Sequence, residues 1–435
     1  MQAGGPIVQD DEVESPPDRA PVAEAAAAPA RAWGQILRNP LVLHNILYLI
    51  GIGGSGAGVL VAQSYGAHHL STVANGESTS VVAVLNLLYT TTFIVAAGAA
   101  RDVAGAAASG LDPDAMWPRL RRSALRIGIW LGAAMVPVDL ILAFLLHLTD
   151  PWVLALTVIA GPISAMGGAQ RGFLQGRRAF GRLAVNFLLY GGTMVVLAVV
   201  LLHLGLGPAA VPVASVAGAL GSALYPRHRA RPDRGEAPER LVDLSVVAGA
   251  ATAPIFNNID VVSARHVLTP YGAGLYSGLS VMGKILFFGT SSLSAVMYPR
   301  VAAAPNAQVR RRLLLQTAAL LLTVDLVVVA AYALFSRPLL GVVLGRSYER
   351  DSSLLLLFAA GIVGLTVVNL LVYFGLGSRD RLFAVVPAVG VPALVAWLFT
   401  SPPEVTQFVP RIASALLLLA VLEAVLILPR ALRRR

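Results

Sequence analysis

The sequence predicts an all-α integral membrane protein, with twelve transmembrane helices in two parallel-repeat six-helix lobes around a central cavity. Three observations predict it. Twelve apolar stretches are each long enough to cross a hydrocarbon core of about 30 Å, which takes roughly 20 helical residues. Mean hydropathy is +0.72, with only 13% charged residues. Basic residues also alternate along the chain: 26 of the 33 lysines and arginines fall in the termini or in every second connecting segment. That bias places both termini in the cytoplasm, and one lysine beside 32 arginines looks like high-GC bacterial coding, so a multi-pass protein of a bacterial cell (cytoplasmic) membrane is expected.

The spans justify themselves in order. Span 1 (41–63) holds the run Gly51–Gly58, which reads as close helix packing or a bend. A nucleotide loop would need a preceding strand, and none is present. Span 2 (79–100) is broken only by Asn86, and span 3 (123–147) carries Asp139. Spans 4 (152–170), 5 (183–204) and 6 (208–225) complete the first set, with Asn186 in span 5 expected to hydrogen-bond within the bundle. Span 7 (241–264) lines up Val246, Ala250, Ala253, Asn257 and Asp260 on one face, a stripe suited to a cavity wall, with Pro254 freeing a carbonyl nearby. Asn258, about 100° round the helix, reads as a bond to another helix. Span 8 (274–297) contains Lys284, the only lysine in the chain, and span 9 (313–336) contains Asp325. Asn369 interrupts span 10 (352–374), span 11 (382–400) has no Asn, Asp or Glu, and Glu423 lies in span 12 (409–429).

The longest hydrophilic break, Arg227–Arg240, divides these spans six and six. The domains expected are an acidic, Ala/Pro-rich cytoplasmic tail (1–40), an N-terminal six-helix lobe (41–226), a cytoplasmic linker (227–240), a C-terminal six-helix lobe (241–429) and a basic tail (430–435). The tail has the composition of a disordered segment and lacks the basic start of a signal peptide. Six is even, so a repeat would be parallel, related by an axis along the membrane normal. Three matches in common order support one: Tyr65-Gly66-Ala67 with Tyr271-Gly272-Ala273, Val138-Asp139-Leu140 with Val324-Asp325-Leu326, and Phe173, Gly176, Arg177 with Phe374, Gly377, Arg379.

The net charge of +10 is divided among loops and so is topological, which argues against nucleic acid as a partner. The absence of cysteine removes disulfides and thiolate chemistry. A charge inside a span costs about 2.5–3.5 kcal/mol at a helix centre, so each one is a functional candidate. Lys284, Asn257 and Asp260 are the expected substrate or cavity residues. Lys284 would contact an anionic group or, structurally, pair with Asp260 or Asp325. Asp325, Asp139 and Glu423 are the ion-coupling candidates, the first two being equivalent in the repeat. No catalytic, cofactor or metal site is expected.

Phe256–Arg300 (FNNIDVVSARHVLTPYGAGLYSGLSVMGKILFFGTSSLSAVMYPR), Arg171–Gly191 (RGFLQGRRAFGRLAVNFLLYG) and Leu339–Leu357 (LLGVVLGRSYERDSSLLLL) resemble the polysaccharide-transporter branch of the multidrug/oligosaccharidyl-lipid/polysaccharide (MOP) exporter superfamily. The resemblance implies a flippase moving an isoprenoid-diphosphate-linked oligosaccharide between leaflets by alternating access, with membrane lipids and polysaccharide assembly proteins as partners and no enzyme activity. The chain departs from related flippases in having no Arg or Lys between Arg38 and Arg101, so spans 1 and 2 supply no cation beyond His44, His68 and His69. The alternatives are a multidrug or toxic-cation antiporter of the same superfamily, which the carboxylates favour, and a membrane-embedded glycosyltransferase or polymerase. The last would need acid/base groups in the outer loops, where Glu77 stands alone between spans 1 and 2.

With no native cysteine, topology is directly testable. Cysteines at Ser71 and Ser352 are expected to react with impermeant thiol reagents from outside, and one at Ala237 is not; labelling of Ala237 in intact cells overturns the orientation.

Overall fold

A computed structural model describes residues 40–225, 244–302, 304–378 and 382–433. The acidic tail through residue 39 and the 227–240 linker, with its Ala237 probe, lie outside the described residues. Hydrocarbon offers no hydrogen-bond partner to a peptide group, so a spanning chain must satisfy its backbone internally. Among the described residues it does so as twelve α-helices: α1 (Pro40–His69), α2 (Thr72–Ala108), α3 (Trp117–Leu146), α4 (Ala155–Gly176), α5 (Phe180–His203), α6 (Ala210–Leu224), α7 (Leu244–Val267), α8 (Pro270–Ala302), α9 (Ala307–Leu344), α10 (Ser353–Ser378), α11 (Leu382–Phe399) and α12 (Val405–Arg433). Short 3-10 turns join several of them, and no strand occurs among the described residues. Ten of these helices are long and apolar enough to cross a membrane; α7 and α11, at the expected spans 7 and 11, are helical but are not among the ten. Residues Leu47–Arg435 form one compact unit; of the separate unit Met1–Ile46, only the start of α1 is described.

Several helices outrun their hydropathy-defined spans. α2 has 37 residues and α9 has 38, because hydropathy marks the part inside hydrocarbon while the hydrogen-bonded ladder continues through Arg101 or Arg310–Arg312 into the polar region. Odd and even helices run in opposite directions. One end of the bundle therefore collects Arg101, Arg119, Arg121, Arg122, Arg177, Arg178, Arg182, Arg300 and Arg310–Arg312, and the other holds the turns at Leu70, Thr149, Gly205, Thr269, Ser347 and Pro402. These are the arginine-rich and arginine-poor ends below.

Small residues set the helix spacing, as they do where lipid removes the hydrophobic drive between helices. Along α1, the glycine run packs on α5: a Cβ at Gly51 would lie 2.8 Å from Ala184 Cα, and one at Gly58 would lie 2.7 Å from the backbone of Gly191. On α3, Gly128 and Gly132 face Gly161 and Pro162 of α4, where a Cβ at Gly161 would stand 2.6 Å from Gly132 N. Gly361 and Gly364 of α10 meet Ala413 and Leu416 of α12, and the equal step on both helices makes them parallel. Pro338 lacks the N–H that the preceding turn would use, and α9 bends at Phe335 (φ −128°, ψ 23°) three residues before it.

Helix α2 carries the junction between the first six helices and the last six. From the arginine-poor end to mid-depth it faces the second half: Gly76 packs on the backbone of Gly274, and the Asn86 amide donates to Asn258 Oδ1 at 3.2 Å. Beyond Asn86 its small residues turn to α4 of its own half, where Gly168 sits on Thr92, Gly172 on Ala96 and Gly176 on Val103.

Of the outside probes, Ser71 is exposed but Ser352 is buried at 8%, because the 3-10 turn Arg346–Asp351 folds it against the bundle. Ser347, exposed in that turn, is the better position. The glycine contacts are position-specific. Gly58→Val should lower folded yield and stability, with an overpacking cost of about 1–3 kcal/mol. Gly53→Ala and Gly56→Ala, whose added Cβ meets nothing within 4 Å, should be neutral. Equal thermal unfolding of the valine and alanine variants in detergent would discount the α1–α5 contact.

Candidate functional site

At the arginine-poor end the two halves are locked by groups that would be orphans alone. The last turn of α3 leaves carbonyls without intrahelical partners, and a cation at a helix C-terminus meets the negative end of its dipole. That cation arrives from the other half. Arg265, in the last turn of α7, donates from Nε to Leu146 O at 2.8 Å and from Nη2 to His147 O at 3.1 Å. His147 ends α3 in the left-handed conformation (φ 46°). Nη2 also reaches Glu77 Oε1 on α2 at 2.9 Å, an ion pair whose side chains are 3% and 9% exposed. The Thr149 hydroxyl donates to the same Glu77 oxygen at 2.8 Å, while the His266 ring lies 3.1 Å from Leu145 O and stacks on His147. Two further bonds close this end: Asn75 Nδ2 donates to Tyr348 Oη at 2.8 Å, and the Ser64 hydroxyl donates to Val343 O. Burial pushes the Tyr348 hydroxyl up to about 12, so it stays protonated at neutral pH.

Deeper in, the two symmetry-expected aspartates have the same environment. Asp139 on α3 faces Thr157 on α4, whose Oγ1 lies 2.9 and 2.7 Å from its two carboxylate oxygens and 2.8 Å from Leu154 O. Asp325 on α9 faces Thr366 on α10, whose Oγ1 lies 2.7 Å from Asp325 Oδ2 and 2.8 Å from Val363 O. In both, a threonine on the fourth helix of a half stands between the aspartate of the third helix and its own carbonyl three residues back. A hydroxyl has one proton and can accept as well. With the aspartate ionised, Thr O–H donates to it; with the aspartate protonated, its O–H donates to Oγ1 and the threonine proton turns to the carbonyl. Rotation of one hydroxyl serves the facing oxygen in both states, while Asp325 Oδ1, buried, makes no hydrogen bond. The two pairs differ in burial: Asp325 is 1% exposed, whereas Asp139 is only part-buried.

The remaining expected residues divide. Asp260 accepts the Tyr276 hydroxyl at 2.6 Å, and its other oxygen makes no hydrogen bond. Lys284 is 5% exposed and its Nζ makes no hydrogen bond or ion pair with either Asp260 or Asp325, the two partners considered for it. Asn257 is buried on the same helix as Asp260, and its neighbour Asn258 bridges to Asn86. Glu423 is fully buried in α12 with neither carboxylate oxygen hydrogen-bonded. No group of three or more metal-ligating side chains occurs among the described residues.

Three polar residues with evident roles escape a reading by span. Glu77 and Arg265 look like loop charges in the sequence, yet both lie inside helices and meet in the closed end. Arg171 looks like part of a basic turn, but α4 continues past it to Gly176 and holds it against the first six helices. The signal that could have found the pair is their sign: each is the lone charge of its connection.

No family model matches the sequence, and none of the curated proteins matches it. Among solved structures, the chain is similar to an inward-facing multidrug resistance MATE family transporter of the MOP superfamily, with a TM-score of 0.65 at 13% identity over 89% of this chain and 94% of that one. It is also similar to an outward-facing MATE family transporter (TM-score 0.55, 16% identity, 91% and 96% covered). A third is a MOP superfamily transporter from Pyrococcus furiosus, for which reverse polarity of the binding pocket suggests a different function (TM-score 0.53, 15% identity, 91% and 97% covered). The chain therefore has the twelve-helix fold of MOP superfamily transporters.

Proposed function

We propose that the chain is a secondary transporter working by alternating access and coupled to protons at Asp139 and Asp325. The observation that carries this is the duplicated aspartate–threonine pair, since an acid served in both protonation states by one rotating hydroxyl can load and release a proton without breaking the fold. The locked arginine-poor end supplies one gate. If the arginine-rich face is cytoplasmic, as the charge bias predicts, the conformation is closed to the outside, in keeping with the likeness to an inward-facing transporter. Antiport of multidrug or organic-cation substrates is the leading reading, supported by the fold of the relatives and by four carboxylates within the helices. A second reading, translocation of an isoprenoid-diphosphate-linked oligosaccharide across a bacterial cytoplasmic membrane, is favoured by one observation: a buried ammonium at Lys284 without a hydrogen bond, which a diphosphate would satisfy.

Reconstituted vesicles with an imposed proton gradient test the coupling. Asp325→Asn should reduce gradient-driven efflux of a fluorescent organic cation by about tenfold or more, and Asp139→Asn by less, because the part-exposed group is more readily replaced by water. Thr366→Val should follow Asp325→Asn. Equal, undiminished rates in all three remove protons from these positions. Lys284→Met separates the substrates: it should abolish lipid-linked oligosaccharide translocation while sparing cation efflux, and normal polysaccharide export at normal protein level ends the second reading.

The gate makes its own prediction. Glu77→Gln leaves Arg265 buried without its counter-ion, a change that costs about 3–5 kcal/mol for a buried pair. It should open the arginine-poor end, so that a cysteine at Ser78, 2% exposed in the closed form, labels several-fold faster. Unchanged labelling would mean that the ion pair does not hold this end shut.

A further inference from the structure

Arg171 lies five residues before the end of α4, about 7.5 Å inside it at 1.5 Å per residue. Side chains of α5 and α6 meet its guanidinium, and rings from α1 and α2 pack behind them. Its Cζ lies 4.4 Å from the Phe187 ring centre and 5.9 Å from that of Tyr190, both on α5. Nε donates to Asn186 Oδ1 at 3.0 Å, and Nη2 reaches Ser222 Oγ of α6 at 3.5 Å. Tyr48 of α1 packs edge-on to Phe187, and Tyr89 of α2 packs edge-on to Tyr190.

All of these partners are neutral. The buried Arg265 has Glu77, and Arg177 at the surface has Asp114; no carboxylate among the described residues pairs with Arg171. Aromatic faces and amide or hydroxyl acceptors hold a guanidinium in place while leaving its charge uncancelled. The fork is also fixed from behind. Asn186 Nδ2 donates to Ser222 O at 2.6 Å and Tyr225 O at 2.8 Å, which leaves its oxygen for Arg171. Arg171 is only part-buried, and Nη1 has no acceptor among the described residues.

We propose that Arg171 anchors an oxyanion site for a phosphoryl group. The arginine fork matches phosphoryl oxygens in a way a lysine would not. The site goes beyond the transport reading. Binding is measured without turnover, so failure of either leaves the other standing.

The test uses the full chain in detergent micelles doped with equal amounts of phosphatidic acid and phosphatidylcholine, read by native mass spectrometry, with pyrophosphate titrated calorimetrically in parallel. Asn186→Asp sets a carboxylate against Nε and cancels the charge in place, but it also removes the Nδ2 donor to Ser222 O and Tyr225 O, so it is read beside Arg171→Lys, which keeps the charge and removes the fork. Wild type should retain phosphatidic acid preferentially, and Asn186→Asp and Arg171→Gln should retain about tenfold less, equivalent to about 1.4 kcal/mol. Retained lipid that pyrophosphate does not displace assigns a lipid headgroup; pyrophosphate binding that Asn186→Asp abolishes assigns a soluble phosphoryl group to the same fork. The proposal is overturned if wild type shows neither preference nor pyrophosphate binding, or if Asn186→Asp, with unchanged thermal unfolding, binds both probes as wild type does. Should Arg171→Gln or Asn186→Asp fail to fold, Arg171→Lys decides: a several-fold loss of both probes supports the fork, and undiminished binding overturns it.

Discussion

A charge in hydrocarbon has no solvent to fall back on, so each ionisable group inside the bundle must find compensation in another helix, and those compensations decide where helices meet. The Glu77–Arg265 ion pair is the clearest instance. Arg265 ends one helix of the second half, yet it satisfies the carbonyls that end a helix of the first, and Glu77 holds it there. Close backbone approach at Gly76 and Gly274 places α2 against α8 beside this pair. The junction therefore lies at the arginine-poor end, and the small-residue contacts of α2 turn inward to its own half toward the other.

Within that frame, the charges sort by sign and environment. Asp139 and Asp325 each stand beside a threonine, away from cations, where neutral and ionised forms can both be accommodated. Lys284 is buried with no hydrogen bond at Nζ, and Asp260 is tied to Tyr276. Arg171 is surrounded by rings and amides. The carboxylates beside threonines and the arginine among rings thus occupy separate places in this bundle.

Much of this was legible in the sequence. Span number follows from hydropathy because a helix is the only open-ended element that satisfies its own backbone in lipid. The equivalence of Asp139 and Asp325 showed in Val-Asp-Leu matches at corresponding places, and the structure gives them a matching threonine that no local pattern announced. Thr157 and Thr366 are 18 and 41 residues from their partners, so the pairing depends on helix packing. The run from Gly51 to Gly58 read correctly as a packing surface because only absent side chains let two backbones come so close. Arg171, Arg265 and Glu77 were hidden by counting charges between spans. Hydropathy averages over a window, and a single charge near the end of a helix is indistinguishable from one in the loop beyond it. The buried position of Ser352 was equally beyond reach, since the 3-10 turn before it has no hydrophobic period of its own.

The threonine beside each aspartate also separates two clocks. Turning a hydroxyl is a side-chain event of picoseconds to nanoseconds, whereas reorienting half of a bundle belongs to about the microsecond-to-millisecond range. Under the proposed cycle the hydroxyl turn would therefore never be the slow step: a change of protonation at Asp139 or Asp325 finds its hydrogen bond at once, and the pace is left to proton arrival and to the helices.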